Sequence, residues 1–342
     1  MRILQHLHFT GKDQAHCPVR SGRRILIGML ATIFLLSSCR RQALPHITLE
    51  DDFRLPVTSV RNQQEWPTGW IYATLALVET ERILVGDSLD LSPDYLVRQL
   101  AGQLGNGRLG NPGRALTATD FQGSPARCIQ LMERYGVILN GIYRDSLSTS
   151  CHQFCNIVNH LPAGNAGRQA LQVVLDTTFD YLPSYVSLYG VVYTPHELLR
   201  SVVEEGSYQQ LSIAEIHRNF GTPSHLIDRT LRHGHAIAWE GDTLQSGYSS
   251  RAGLAVCSSS DEATTTSRSA LSTSSSRHRH CLIIIGIAHP RRLPLGCRDT
   301  SRTYYIAKDS HGAYGTHHGY IYLSAAYVEA HTLSLTRLRS AG

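Results

Sequence analysis

The stretch whose reading decides the fold is Arg61-Asn62-Gln63-Gln64-Glu65-Trp66-Pro67-Thr68-Gly69-Trp70-Ile71-Tyr72-Ala73. Polar residues and a proline give way at Thr68-Gly69 to a run dense in helix formers. From Trp70 to Val85 that run is apolar on nearly every face, through Ile71, Leu75, Ala76, Leu77, Val78, Ile83 and Leu84. Such a pattern predicts a helix buried on all sides rather than a surface helix. Gln63 and Gln64 precede it as polar residues suited to capping contacts, and Trp66 and Trp70 as core or wall aromatics.

Outward from this helix the chain changes character once. Ser92-Pro93 predicts a second helix start, with the serine as N-cap and the proline at the first position. The five glycines between Gly102 and Gly113 predict a loop. Gly123-Ser124-Pro125-Ala126 opens a third helix, 127–135; residues 166–179 and 195–204 also read as helical, with 185–193 extended between them. After Asp228 strands dominate: 235–239, 253–257, 282–287, 303–307 and 320–323. Residues 258–276, rich in Ser and Thr, read as a loop. Helices first and strands later predict an α+β protein.

With 342 residues, 42% hydrophobic and 17% charged, the chain is globular in composition and long enough for two lobes. Its formal charge of +5 is concentrated at the start. Residues 1–38 hold Arg2, Lys12, Arg20, Arg23 and Arg24 against Asp13. Taking these from the 32 basic and 27 acidic residues leaves 27 and 26, a balance of +1. Near-neutrality argues against nucleic acid as a partner. The apolar run Ile25 to Leu36 is too short to span a bilayer but suits a signal-peptide core. It ends in Leu36-Ser37-Ser38-Cys39, which resembles a bacterial lipoprotein box. The expectation is a signal peptide over 1–38, a lipidated tether over 39–54 and a domain over 55–335, anchored to the cell envelope through Cys39. Six cysteines follow the anchor (128, 151, 155, 257, 281 and 297) in spacings that give no connectivity. Cys151 and Cys155 read as a local disulfide or two free thiols. No histidine or cysteine spacing predicts a metal, and His311, His317 and His318 read as loop residues.

Read together, the opening segment and two later ones resemble the papain-like cysteine peptidases. Gln63 stands six residues before, and Trp70 directly after, the position of that family's nucleophilic cysteine, which here is Gly69. His280-Cys281-Leu282-Ile283-Ile284-Ile285-Gly286 resembles the family's catalytic histidine and the strand after it. Tyr304-Tyr305-Ile306-Ala307-Lys308-Asp309-Ser310-His311-Gly312 resembles the strand leading to its Lys-Asn-Ser-Trp-Gly. Residues 176–195, 234–256 and 319–328 narrow the resemblance to the bleomycin hydrolase and aminopeptidase C branch. The resemblance implies a helical lobe over about 55–227, an antiparallel β-rich lobe over about 228–335, and a cleft between them. It implies His280 as the base, Asp309 in place of the orienting asparagine, and Gln63 as oxyanion donor. Trp70, Gly123, Ser124 and Trp239 would line a substrate cleft that takes a peptide ligand, without a cofactor. His311 replaces the tryptophan that shields the histidine–asparagine bond, which should admit water to it. Gly69 supplies no thiolate. Three expectations compete: a peptidase fold without catalysis that binds a peptide or partner in its cleft; an active cysteine (amino)peptidase, in which the register or the residue at 69 differs and Cys128 is the mature cysteine near a helix start in the first lobe; and a structural envelope protein with a collapsed cleft.

Overall fold

In a computed structural model the described residues are Leu44, 47–143, 149–243, 247–257, 279–292 and 299–339. The leader, Cys39, Cys297 and the Ser/Thr-rich stretch lie outside them. From Leu44 onward the chain forms one compact unit with two hydrophobic cores.

Helix α1 (Gly69–Leu84) is the piece the two cores share, and every residue from Gly69 to Glu81 is buried. Trp70, Ile71, Leu75 and Val78 face the first core, while Ala76 and Leu77 belong to the second. A helix sealed from both sides needs apolar residues all around it, which is the pattern the sequence carries. Helix α2 (Pro93–Gly110) begins as expected, with the Ser92 hydroxyl accepting from the Tyr95 amide and proline in the first turn.

The glycine-rich stretch is a correction: α2 runs straight through it to Gly110. The reason is packing against helix α5 (Gly164–Phe179). A Cβ on Gly105 would come within 2.8 Å of a Leu171 methyl, and one on Gly102 within 3.4 Å of Leu175. These glycines let two helices approach closely, a tertiary gain that outweighs their poor helix propensity. Helices α3 (Pro125–Tyr135), α4 (Cys151–Asn159) and α6 (Pro195–Val202) complete the first lobe with a hairpin of β2 (Val186–Leu188) and β3 (Val191–Tyr193). Its centre is an aromatic cluster in which Trp66 packs edge-on against Phe121 at 5.1 Å.

The second lobe is built on a nine-stranded sheet. Its long central strand β8 (Arg279–Pro290) pairs antiparallel with β5 (Ile237–Asp242), β9 (Tyr304–Lys308) and, at its far end, β1 (Leu49–Arg54). Beyond β5 lie β11 (Thr332–Leu338) and β4 (Tyr208–Ser212). Beyond β9 lie β10 (Tyr320–Ser324), β7 (Leu254–Ala255) and β6 (Tyr248–Ser249), with β10 and β7 the parallel pair. Helices α7 (Ile213–Phe220), α8 (Pro223–Arg232) and α9 (Ala325–His331) cover it. Leu211, Ile216, Leu226 and Leu231 already sit in this second core. The chain thus crosses between lobes before β4, earlier than the expected boundary near 227, because the amphipathic α7 and α8 bury their apolar faces on the sheet.

Between the lobes lies a buried polar tie. Glu79 on α1 accepts from the Thr58 hydroxyl at 2.5 Å and the Leu91 amide at 2.7 Å, and the Lys308 ammonium donates to Thr58 at 2.9 Å.

Candidate active-site cleft

Short backbone links bring the distant segments to one place. Gln63 N–H donates to Ser310 O and Gly312 N–H to Arg61 O, stitching 61–63 onto 310–312. Pairing of β8 with β9 then fixes His280 relative to Asp309. The His280 Nε2 lies 2.7 Å from Asp309 Oδ1, which also accepts from the Ser310 amide. The imidazole's other side meets the first residue of α1. A Cβ built on Gly69 would lie 3.2 Å from His280 Nδ1 and 2.9 Å from its Cε1. The same Cβ would lie 2.5 Å from Gln63 Oε1. Helix N-terminus, imidazole and side-chain amide therefore converge on the one position that carries no side chain.

Two details were not legible beforehand. Gln63 turns its amide oxygen toward that position, because the oxygen accepts from Ser310 Oγ at 2.5 Å while Nε2 donates to Trp66 O at 2.7 Å. One of its two amide N–H groups and its oxygen are thus engaged with protein partners. His311 does more than uncover the His280–Asp309 bond: its Nδ1 sits 2.9 Å from Asp309 Oδ2, so one carboxylate bridges two imidazoles. The rings are 5.0 Å apart between centroids. The Asp at 309 and the His at 311 were the available signal, since an aspartate has two acceptor oxygens where an asparagine has one.

Asp309 is nearly inaccessible, with a side chain only 3% exposed. Burial alone would raise its pKa, but the charges and hydrogen bonds of His280 and His311 hold the carboxyl well below its ordinary range. The bond to Asp309 raises the His311 pKa against the opposing pull of burial. By type these three residues could hold a metal ion, their donor atoms lying within 4.8 Å of one another. Both imidazole nitrogens are instead engaged by the carboxylate oxygens.

An open cleft of about 770 Å³ lies in front of this cluster, walled by Gln122, Gly123 and Ser124 of the first lobe and Tyr248 and Ser250 of the second. Gly69 and Trp70 form its floor, His280 and His311 one side. Trp70 is fixed by donation from Nε1 to Phe121 O at 2.9 Å. Gly123 must be glycine, since a Cβ there would meet the Trp70 ring at 2.6 Å. Ser124 caps α3. Trp239 is a correction: it is fully buried in the second core, donating to Thr332 Oγ1, and does not line the cleft. Its place in the middle of β5 points it into the sheet's packed face.

Cys128, Cys151, Cys155 and Cys281 are buried thiols, poorly suited to act as nucleophiles. Cys128 is fully buried inside α3 and burial pushes its thiol up to about 12. Cys281, next to His280, is also raised by burial. Cys151 and Cys155 are free thiols on α4, and Cys151 is held protonated by its hydrogen bond to Cys155.

No family model and no curated protein sequence matches this chain. Solved structures do. The crystal structure of PepW from Lactobacillus rhamnosis HN001 superposes with a TM-score of 0.64 at 14% identity, covering 95% of this chain and 93% of that one. A clostridial cysteine protease, Cwp84 after propeptide cleavage, gives 0.48 at 14% identity, with 83% and 55% covered. The fold is the α+β, two-lobe fold of papain-like peptidases, with a helical lobe, a mostly antiparallel sheet lobe and a cleft between them.

Proposed function

We propose that this chain is an envelope lipoprotein whose papain-like domain has lost peptidase activity and keeps its cleft for binding peptides. The observation that carries the reading is the vacancy at the head of α1. Where the fold would present a thiol to His280, Gly69 presents hydrogen, and Gln63 and His280 have closed into the room a Cβ would need. His280, oriented by Asp309, can still take a proton. With no atom to attack a carbonyl, it has only water to activate, and no acyl-enzyme forms.

The cleft itself stays open, which supports binding over a purely structural role. Attachment through Cys39 rests on the Leu36-Ser37-Ser38-Cys39 box; mass spectrometry of the cell-derived protein should find a diacylglyceryl group there. The activity experiment sets wild type beside His280→Ala on a panel of aminoacyl fluorogenic amides, together with a thiol-directed epoxide inhibitor. The expected result is no turnover above the His280→Ala background and no label on any cysteine. Turnover that disappears in His280→Ala would overturn the reading and return the protein to the active peptidases.

A further inference from the structure

The cleft carries a charge pattern that deepens the peptide-binding reading, on which the following rests. Three guanidinium groups line it, from Arg114 and Arg127 on the helical wall and Arg279 on the strand wall. Among the described lining residues outside the His280 cluster, Asp120 is the acidic one, and it is already committed. It accepts from the Thr117 amide and hydroxyl at 2.8 and 2.9 Å and pairs with Arg114. That pair cancels.

Arg279 is ion-paired as well, with the buried Glu240, so Arg127 is the guanidinium left without an ion-pair partner among the described residues. Arg127 stands over the Trp70 ring, 5.5 Å from its centroid, and donates from Nη1 to the carbonyls of Gln122 and Asp120 at 2.5 and 3.3 Å. Two carbonyls hold the guanidinium in place; the Asp120 carboxylate also acts on it electrostatically but is ion-paired with Arg114. Arg279 directly precedes His280 on β8 and is half exposed. Its nearest carboxylate is the buried Glu240, 3.5 Å from Nε, whose other oxygen accepts from Gln210 and Ser334 at 3.3 and 2.5 Å. The Asp309 carboxylate at the back is shared between two imidazoles.

The described groups leave an excess of one positive charge at the cleft, and it is local. Beyond the leader, acidic and basic residues almost balance. A concave site with low-dielectric walls concentrates such a field. A guanidinium fork pairs with the two oxygens of a carboxylate in a way that a lysine could not.

We propose that the cleft selects peptides carrying a carboxylate, with Arg127 and Arg279 as its anchors on opposite walls. The carboxylate could belong to an acidic side chain or to a peptide C-terminus, and the probes separate the two.

The test is fluorescence-anisotropy titration of the full-length protein with four labelled, N-acetylated hexapeptides. One carries a central Glu and an amidated end, one a Gln, one a Lys, and the fourth is the Gln peptide with a free C-terminal carboxylate. One charge-assisted anchor should bind the Glu or the free-carboxylate peptide about 10-fold more tightly than the amidated Gln peptide. The winner identifies the carboxylate's source. Arg279→Gln, whose half-exposed side chain gives up its ion pair with the buried Glu240 and whose thermal unfolding is therefore recorded beside wild type, should cut that ratio to about 3-fold or less and leave the amidated Gln peptide's Kd unchanged. Arg127→Lys, which keeps the charge but loses the fork, should also reduce it. Raising salt should weaken the carboxylate probes alone. Equal affinities for Glu, Gln and free-carboxylate peptides, or a preference for Lys, would overturn the proposal while leaving the cleft a peptide site. Failure of all four to bind would overturn the peptide-binding reading with it.

Discussion

Adding one methyl group at Gly69 tests whether Gln63 and His280 leave room for a side chain at that position. In Gly69→Ala the new Cβ would start 2.5 Å from Gln63 Oε1 and 2.9 Å from His280 Cε1, against the 3.4 Å of an ordinary contact. The peptide backbone of α1 is buried and cannot retreat, so the two side chains must. Gln63 Oε1 is pinned by Ser310 Oγ at 2.5 Å, and both residues are buried. Losing that hydrogen bond costs about 1 kcal/mol, and leaving a buried oxygen unsatisfied costs about 1–3 kcal/mol. Overpacking of the ring adds a cost in the range of about 1–3 kcal/mol if it cannot slide toward the cleft. Alanine returns up to about 1 kcal/mol through helix propensity. With the ring free to slide, the net expectation is a loss of about 1–3 kcal/mol, which for a chain of this size lowers Tm by about 2–5 °C. The assay is thermal unfolding of wild type, Gly69→Ala, Gln63→Ala and the double variant. Removing Gln63 takes away the shorter of the two clashes, so the alanine's cost should fall by at least half in that background. A Gly69→Ala protein as stable as wild type, or an equal cost in both backgrounds, would refute the reasoning.

Gly105→Ala should destabilise by about 1–3 kcal/mol, read from urea unfolding, because its Cβ would strike the Leu171 methyls at 2.8 and 2.9 Å. Lys308, which burial depresses to about 8, gives a stability slope of definite sign. Between pH 8 and about 10.4 the unfolded chain binds the proton that the folded chain has released, so stability rises with pH there, by on the order of 3 kcal/mol. Lys308→Met should remove that rise in a series of urea midpoints. His311 works the other way: its raised pKa contributes stability that is full below about 6.5 and fades as pH climbs through the folded value. Difference curves between wild type and His311→Gln should therefore narrow as pH rises above neutrality.

The sequence carried the frame of the molecule for reasons that are local. The all-round apolar run after Trp70 could only be a helix sealed between two cores, and the Ser92-Pro93 start and the strands over 282–287, 303–307 and 320–323 followed ordinary capping and patterning rules. His280 and Asp309 are separated by 29 positions, and the pair that lies 2.7 Å apart in the structure was implied by the resemblance of their flanking segments to papain-like peptidases. What failed was decided by contacts between segments far apart. Glycines 102 and 105 read as a loop until α5 is known to press on them. Trp239 read as a cleft wall although its alternation in β5 turns it inward onto Tyr327. Gln63's orientation depends on Ser310, 247 residues away, and no pattern around Gln63 announces that partner. Likewise the bridge from His311 to Asp309 turns an apparent loss of shielding into an additional bond.

The central claim is that position 69 is the nucleophile's place, facing His280 at a helix N-terminus. The direct measurement is the pH dependence of iodoacetamide alkylation at residue 69 in full-length Gly69→Cys, followed by peptide mass spectrometry, with and without His280→Ala. A thiol at this helix end beside an imidazolium should ionise well below the ordinary value of about 8.5, and should return toward it when His280 is removed. A cysteine at 69 that alkylates with an ordinary pKa whether or not His280 is present would contradict the account.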